Sequence, residues 1–125
     1  MTMRRYKVTV TTAADGTATA YTPRVSGKLH SVHYVPDGAN AYPNTVDVTI
    51  TSEVTGEALV TRTNVAAAFV TYPRKDTAGA DGTAALFAAG GTAVQDKPAL
   101  GNDRIKIVLA QGGNAKVGAF HFLVD

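Results

Sequence analysis

The 125 residues predict an all-β protein, an antiparallel β-sandwich or jelly roll of about eight short strands. Three observations carry that prediction. Apolar and polar residues alternate with period two in segment after segment, as a strand with one face in the core and one in water requires. Gly, Pro and Asp pairs separate these segments at short intervals. No stretch of helical length repeats apolar residues at the 3.6 spacing of an amphipathic helix. A closed barrel is the competing arrangement.

The first segment, YKVTVTT, sets Tyr6, Val8 and Val10 against Lys7, Thr9 and Thr11. Asp15-Gly16 makes a turn, and TATAYTP is a weaker strand closed by Pro23, which has no N–H to give a ladder. GKLHSVHYV runs from Gly27 to the turn Pro36-Asp37-Gly38, where proline presets one dihedral and glycine tolerates positive φ. TVDVTITSE is the most regular segment, with Val46, Val48 and Ile50 inward and Asp47, Thr49 and Thr51 outward. Thr55-Gly56 turns it into EALVTRTNV, and the two are expected to pair as a meander, although Leu59 and Val60 interrupt the alternation. AAAFVTYP continues to Pro73.

Residues 74–101 change character. Small residues surround one apolar patch, Leu86 and Phe87, and a featureless loop of this length is unexpected inside a compact domain. A short helical turn or edge strand is expected around Ala84 to Ala89, between mobile or partner-ordered flanks. A closing hairpin is expected last: Ile105, Ile107 and Leu109 on one face, QGGN as the turn, and Phe120, Phe122 and Val124 on the return.

The length suits one domain, residues 1–125, carrying the Gly/Ala-rich excursion at 74–101, and at this size a core forms without disulfides or metals. The 45% apolar fraction overstates that core because much of it is alanine. The absence of cysteine removes thiolate catalysis and Cys-based zinc sites. The amino terminus passes into alternation without the apolar region of a signal peptide, and nowhere do 18 apolar residues run together, so a soluble protein made in the cytoplasm is expected, without a membrane partner. A formal net charge of +2, with basic residues scattered as pairs, gives no footprint for direct nucleic-acid binding.

Chemistry-bearing motifs are scarce. Strand alternation places His30 and His33, three apart, on opposite faces, where they cannot share an ion, and puts His121 on the face away from Phe120 and Phe122. Asp15, Asp37 and Asp81 each precede glycine, the signature of carboxylates that bond local turn amides. DTAGADG lacks the calcium-loop pattern, AAGGTA and QGGNAK lack phosphate-loop spacing, and no serine among Ser26, Ser31 and Ser52 lies in G-x-S-x-G. The reading is therefore of a non-enzyme with no catalytic residue, no metal and no cofactor.

The run ALFAAGGTAVQDKPALGNDRIKIVLAQGGNAKVGAFHFLV, preceded by GKLHSVHYV and TVDVTITSEVTGEALV, resembles the small all-β structural proteins encoded among the head genes of tailed bacteriophages. The resemblance spans most of the chain from residue 27 onward and includes capsid decoration or cement proteins. It implies a virion location, the major capsid protein of the same particle as partner, and self-association, a trimer favoured over a dimer. The candidate partner interface comprises Arg4, Arg5, Arg74, Lys75, Leu86 and Phe87; of these, Arg4 and Arg5 lie on one expected arm, residues 1–5, and Leu86 and Phe87 on the other, residues 76–101. The alternative for Leu86 and Phe87 is that they cap the core. Other functions in view are a head-tail connector or tail-tip component, and a carbohydrate- or receptor-binding sandwich, for which Tyr34, Tyr42 and Tyr72 are the available aromatic set.

Overall fold

The computed structural model describes residues 2–65 and 67–125. Eleven strands and no helix are found among them: β1 Arg4–Thr11, β2 Ala18–Tyr21, β3 Val25–Pro36, β4 Asp47–Ser52, β5 Ala58–Arg62, β6 Phe69–Thr71, β7 Lys75–Asp76, β8 Gln95–Asp96, β9 Ala99–Asp103, β10 Ile105–Ala110 and β11 Val117–Val124. The protein is an all-β antiparallel sandwich. The excess over the eight expected strands comes from short pieces in and after the excursion (β7, β8 and β9). In the 66–73 segment, where Ala66 lies outside the described residues, only Phe69–Thr71 is strand.

One sheet, sheet A, runs β1-β11-β3-β6, with β9 on the first part of β3, and the other, sheet B, runs β2-β10-β4-β5. Alternation works as expected on both. Leu29, Val32, Tyr34, Phe120 and Phe122 from sheet A meet Val48, Ile50, Ile105, Ile107 and Leu109 from sheet B, all at most 1% exposed. Burying these side chains supplies the main stabilisation, at about 1.5–3 kcal/mol for each large one. β4 and β5 form the expected meander, Val48 opposite Arg62 and Ile50 opposite Val60. A register shift after Ile50 makes Leu59 an extra residue, so Leu59 and Val60 are both buried and the alternation breaks there.

The expected closing hairpin does not form. β10 pairs with β2 and β4, and β11 with β1 and β3, so QGGN carries the chain across the core from one sheet to the other. Each strand buries a continuous apolar face, and two such faces are best covered by facing each other. The crossing is built by local hydrogen bonds: buried Thr12 donates from Oγ1 to Gly113 O (2.7 Å) and accepts from Lys116 N (2.9 Å), while Gly112 N donates to Gly16 O (2.8 Å).

Residues 75–96 project as a ribbon rather than a helical turn. Lys75 pairs with Asp96 and Asp76 with Gln95 at its base. Above them three segments close a ring of backbone bonds: Thr77 N to Val94 O (2.8 Å), Val94 N to Ala85 O (2.9 Å) and Ala85 N to Thr77 O (3.0 Å). Isolated bridges continue from this ring, Ala78 with Ala84 and Leu86 with Ala93. The flanks expected to be mobile or partner-ordered are thus paired. Alanine and glycine let three backbones approach this closely and satisfy one another, so the excursion is ordered without a core of its own.

Candidate functional site

The six residues of the expected interface fall in separate places. Arg4 and Arg5 do not form an arm: both lie in β1, paired with Val124 and Leu123 of β11. Met1 lies outside the described residues, which leaves Thr2 and Met3 ahead of the strand. Strand alternation also parts the two arginines. Arg4 lines a hollow with Tyr6, Ser26 and Asp125, and Arg5 lines a cleft on the outer face of sheet A. Arg74 is tied to the sandwich, its Nη1 donating to Pro73 O (2.6 Å) and His30 O (3.2 Å). Lys75 opens the ribbon.

Leu86 and Phe87 sit at the second of the ribbon's two turns, where Phe87 N donates to Thr92 O (3.0 Å) and Gly91 N to Ala88 O (2.8 Å). They do not cap the core. Leu86 is 42% and Phe87 75% exposed.

The outer face of sheet A gathers the three histidines, which linear alternation had parted. β3 carries an extra residue where its register against β11 shifts: Leu29 opposes Val124, and Ser31 opposes Leu123. That bulge returns Val32 and Tyr34 to the core and leaves His30, Ser31 and His33 together on the outer side. Ser31 Oγ lies 3.1 Å from His30 Nδ1 and 3.3 Å from His33 Nε2. The expectation that His30 and His33 lie on opposite faces is corrected by this one extra residue. His121 is directly opposite His33 across the β11–β3 ladder, with Lys7 on its other side. Tyr72 presents its ring to His30 edge-on, centroids 5.7 Å apart. Arg5, His33, Val35, His121 and Leu123 line a shallow cleft of about 330 Å³. No single-sequence pattern announces this cluster, because it depends on the bulge and on which strands are neighbours.

His121 Nδ1 is buried without a hydrogen-bond partner among the described residues. That burial, with the positive charges of Arg5 and Lys7 and the neighbouring His33 adding to it, holds the imidazole below the usual histidine value. The folded state therefore binds this proton less readily than the unfolded chain, and stability falls as pH drops below about 6.5 towards the depressed native value. Asp15, Asp37 and Asp81 are held below the usual carboxylate range by hydrogen bonds from Thr17, from Asn40 and Ala39, and from Thr83, and they act with the same sign below about pH 4. Urea midpoints are expected to decline from pH 7.5 to pH 5, with a shallower decline in His121→Gln; equal slopes in the two proteins would contradict the assignment to His121.

The three aspartates are turn residues, as their Asp-Gly context implies: Asp15 Oδ1 accepts from Thr17 N (3.1 Å), Asp37 Oδ2 from Asn40 N (2.9 Å) and Asp81 Oδ1 from Thr83 N (2.9 Å). Among the described residues no three His, Asp or Glu side chains converge as a metal set. The aromatic set for carbohydrate also comes apart. Tyr34 and Tyr42 are buried and stacked on each other, centroids 5.8 Å apart, leaving Tyr72 on the surface. They were available in the sequence but are spent in the core.

No protein-family model matches this chain, and no curated protein matches it. A crystal structure of FLHE superposes on 99% of this chain and 98% of its own, at 11% identity and a TM-score of 0.43, too loose a likeness to carry an argument.

Proposed function

We propose that this chain is a non-enzymatic structural protein of a virus particle, a decoration or cement protein of the tailed-phage head that grips the major capsid protein through its projecting ribbon. The family resemblance of the sequence motivates the reading, and one observation carries it further. Phe87, the most exposed large apolar residue among those described at 75%, is presented beside Leu86 on a ribbon that closes its own backbone hydrogen bonds. A large aromatic held in water on an ordered support has the character of an anchor for a partner's pocket, where removal of one such side chain costs about 2 kcal/mol or more. A head-tail connector or tail-tip component would use the same ribbon in a ring of different order.

Self-association fits this role, a trimer being favoured over a dimer. A specific contact usually buries about 1,200–2,000 Å² in total, so a small domain gains from joining copies before it grips the shell. Each further contact is then effectively intramolecular, and avidity rises by roughly 10² to 10⁴.

Changing Leu86 and Phe87 together to Ser is expected to leave the β-type circular dichroism and the melting temperature nearly unchanged, because neither residue reaches the core. It is expected to weaken co-sedimentation with purified heads at least about 30-fold. Normal binding by the folded double mutant removes the anchor role. Sedimentation velocity of both proteins reads the oligomer directly, and a monomer at working concentration rejects the trimer.

A further inference from the structure

The outer face of sheet A has a feature that the ribbon's role leaves unused. Arg5 and Lys7 come from β1, His121 from β11 and His33 from β3, four basic side chains on adjoining strands of one sheet face. The ion pairs among the described residues are Lys28–Asp96, Lys97–Asp125 and Arg104–Glu53, and none reaches Arg5 or Lys7. Beside Lys7 and Val35, in an adjoining hollow, stands Asp37, but its carboxylate is already held by Ala39 N (3.1 Å) and Asn40 N (2.9 Å). From β6, the residue opposite His33 is the uncharged Val70. Beyond His30, Tyr72 and Arg74 are engaged with that residue's ring and carbonyl. The positive charge of the cleft is thus not neutralised from within.

Its walls are apolar. Val35 is 49% exposed, and Leu123 lines the cleft directly beside Arg5, its partner across the β1–β11 ladder. A small inorganic anion would meet the cations and leave these walls wet. A carboxylate attached to a ring or a branched alkyl group would use both, since the guanidinium fork matches the two carboxylate oxygens and the apolar part covers Val35 and Leu123. A volume of about 330 Å³ admits a group of that size.

We propose that the Arg5–His33–His121 cleft is a binding site for a carboxylate carried on a small apolar group. Arg5 pairs with the carboxylate, the two histidines face it, and Val35 and Leu123 take the apolar portion. The buried Nδ1 of His121 means that the ring meets the ligand through Nε2 or its carbon edge. Acidification strengthens binding, because a proton gained by His121 adds a cation to a cleft that Arg5 and Lys7 already make positive.

Sodium benzoate is the probe, followed by the ring resonances of His33 and His121 and the methyl resonances of Val35 and Leu123 in the full chain. The expected result is that both sets shift together and binding is several-fold tighter at pH 5.5 than at pH 7.5. Benzamide, the neutral analogue, and Arg5→Gln are each expected to weaken binding about 10-fold, the loss of one charge-assisted pair. Arg5 is exposed on its strand, so the variant's unchanged circular dichroism confirms that it is folded. No benzoate-dependent shift, equal binding of benzamide, or unchanged binding in Arg5→Gln each overturns the site. A capped Asp-Leu dipeptide run in parallel separates the sources: tighter binding than benzoate assigns the cleft to an acidic protein segment, weaker binding to a free acid, and both support the chemistry.

Discussion

Gly27→Ala is expected to cost about 3 kcal/mol or more and to lower the melting temperature by roughly 10 °C. Gly27 has φ +131, a conformation that side-chain-bearing residues rarely adopt, and a Cβ placed there would stand 2.3 Å from the backbone oxygen of Asp125 and 3.1 Å from Val124 Cγ1. The oxygen cannot move away cheaply. It accepts from Lys28 N (2.8 Å), Asp125 N donates back to Lys28 O (3.0 Å), and the Asp125 carboxylate is held by Lys97 Nζ at 2.5 Å. The same residue lies where β3 shifts register against β9, so a displaced Gly27 disturbs two pairings at once. Gly38→Ala is the matched control: nothing lies within 4 Å of its added Cβ, and a change within about 0.5 kcal/mol is expected. Urea denaturation of the two variants checks the pair, and a Gly27→Ala protein as stable as Gly38→Ala would show that the segment yields without cost.

Phe120→Ala is expected to cost about 3–5 kcal/mol, the range for removing a buried aromatic. Phe120 is fully buried, and its ring centroid lies 5.0 Å from that of Tyr34, which stands 5.5 Å from Phe69 and 5.8 Å from Tyr42. Truncation opens a cavity against Tyr34, the ring that joins this cluster. The neighbours cannot close over it freely, because Tyr42 is fixed at its far end by a 2.6 Å hydrogen bond to Val10 O, and Gly118 already lets both tyrosine rings lie where a Cβ would be 2.6–2.7 Å away. The denaturation midpoint reads the loss, with an unchanged m-value showing that the transition is still of the same kind. A cost below 1 kcal/mol would mean that the cluster relaxes into the space.

The candidate interface was legible to different degrees. Leu86 and Phe87 stood out as an apolar pair in a small-residue excursion, and they are exposed there. Arg4 and Arg5 share one expected arm, but residue-by-residue alternation in β1 turns them to opposite sides. Arg74 is an expected interface residue, whereas its guanidinium binds two backbone carbonyls. Strict alternation hides the histidine face, because the bulge in β3 breaks it. An extra residue in one strand is defined by its partner's register, and a single segment read alone contains no partner.

Alternation by itself determined that Val46, Val48 and Ile50, like Ile105, Ile107 and Leu109, turn inward, and that His121 turns away from Phe120 and Phe122. That information is local: successive side chains leave an extended backbone on opposite sides whatever lies beside it. Tertiary structure alone decided that β10 and β11 face each other across the core instead of pairing, that one extra residue in β3 brings His30 and His33 to one side, and that residues 75–96 close on themselves and leave Phe87 in water. Those outcomes depend on which backbone amides find which carbonyls far along the chain. A period of two specifies the face of a strand and is silent about its neighbour.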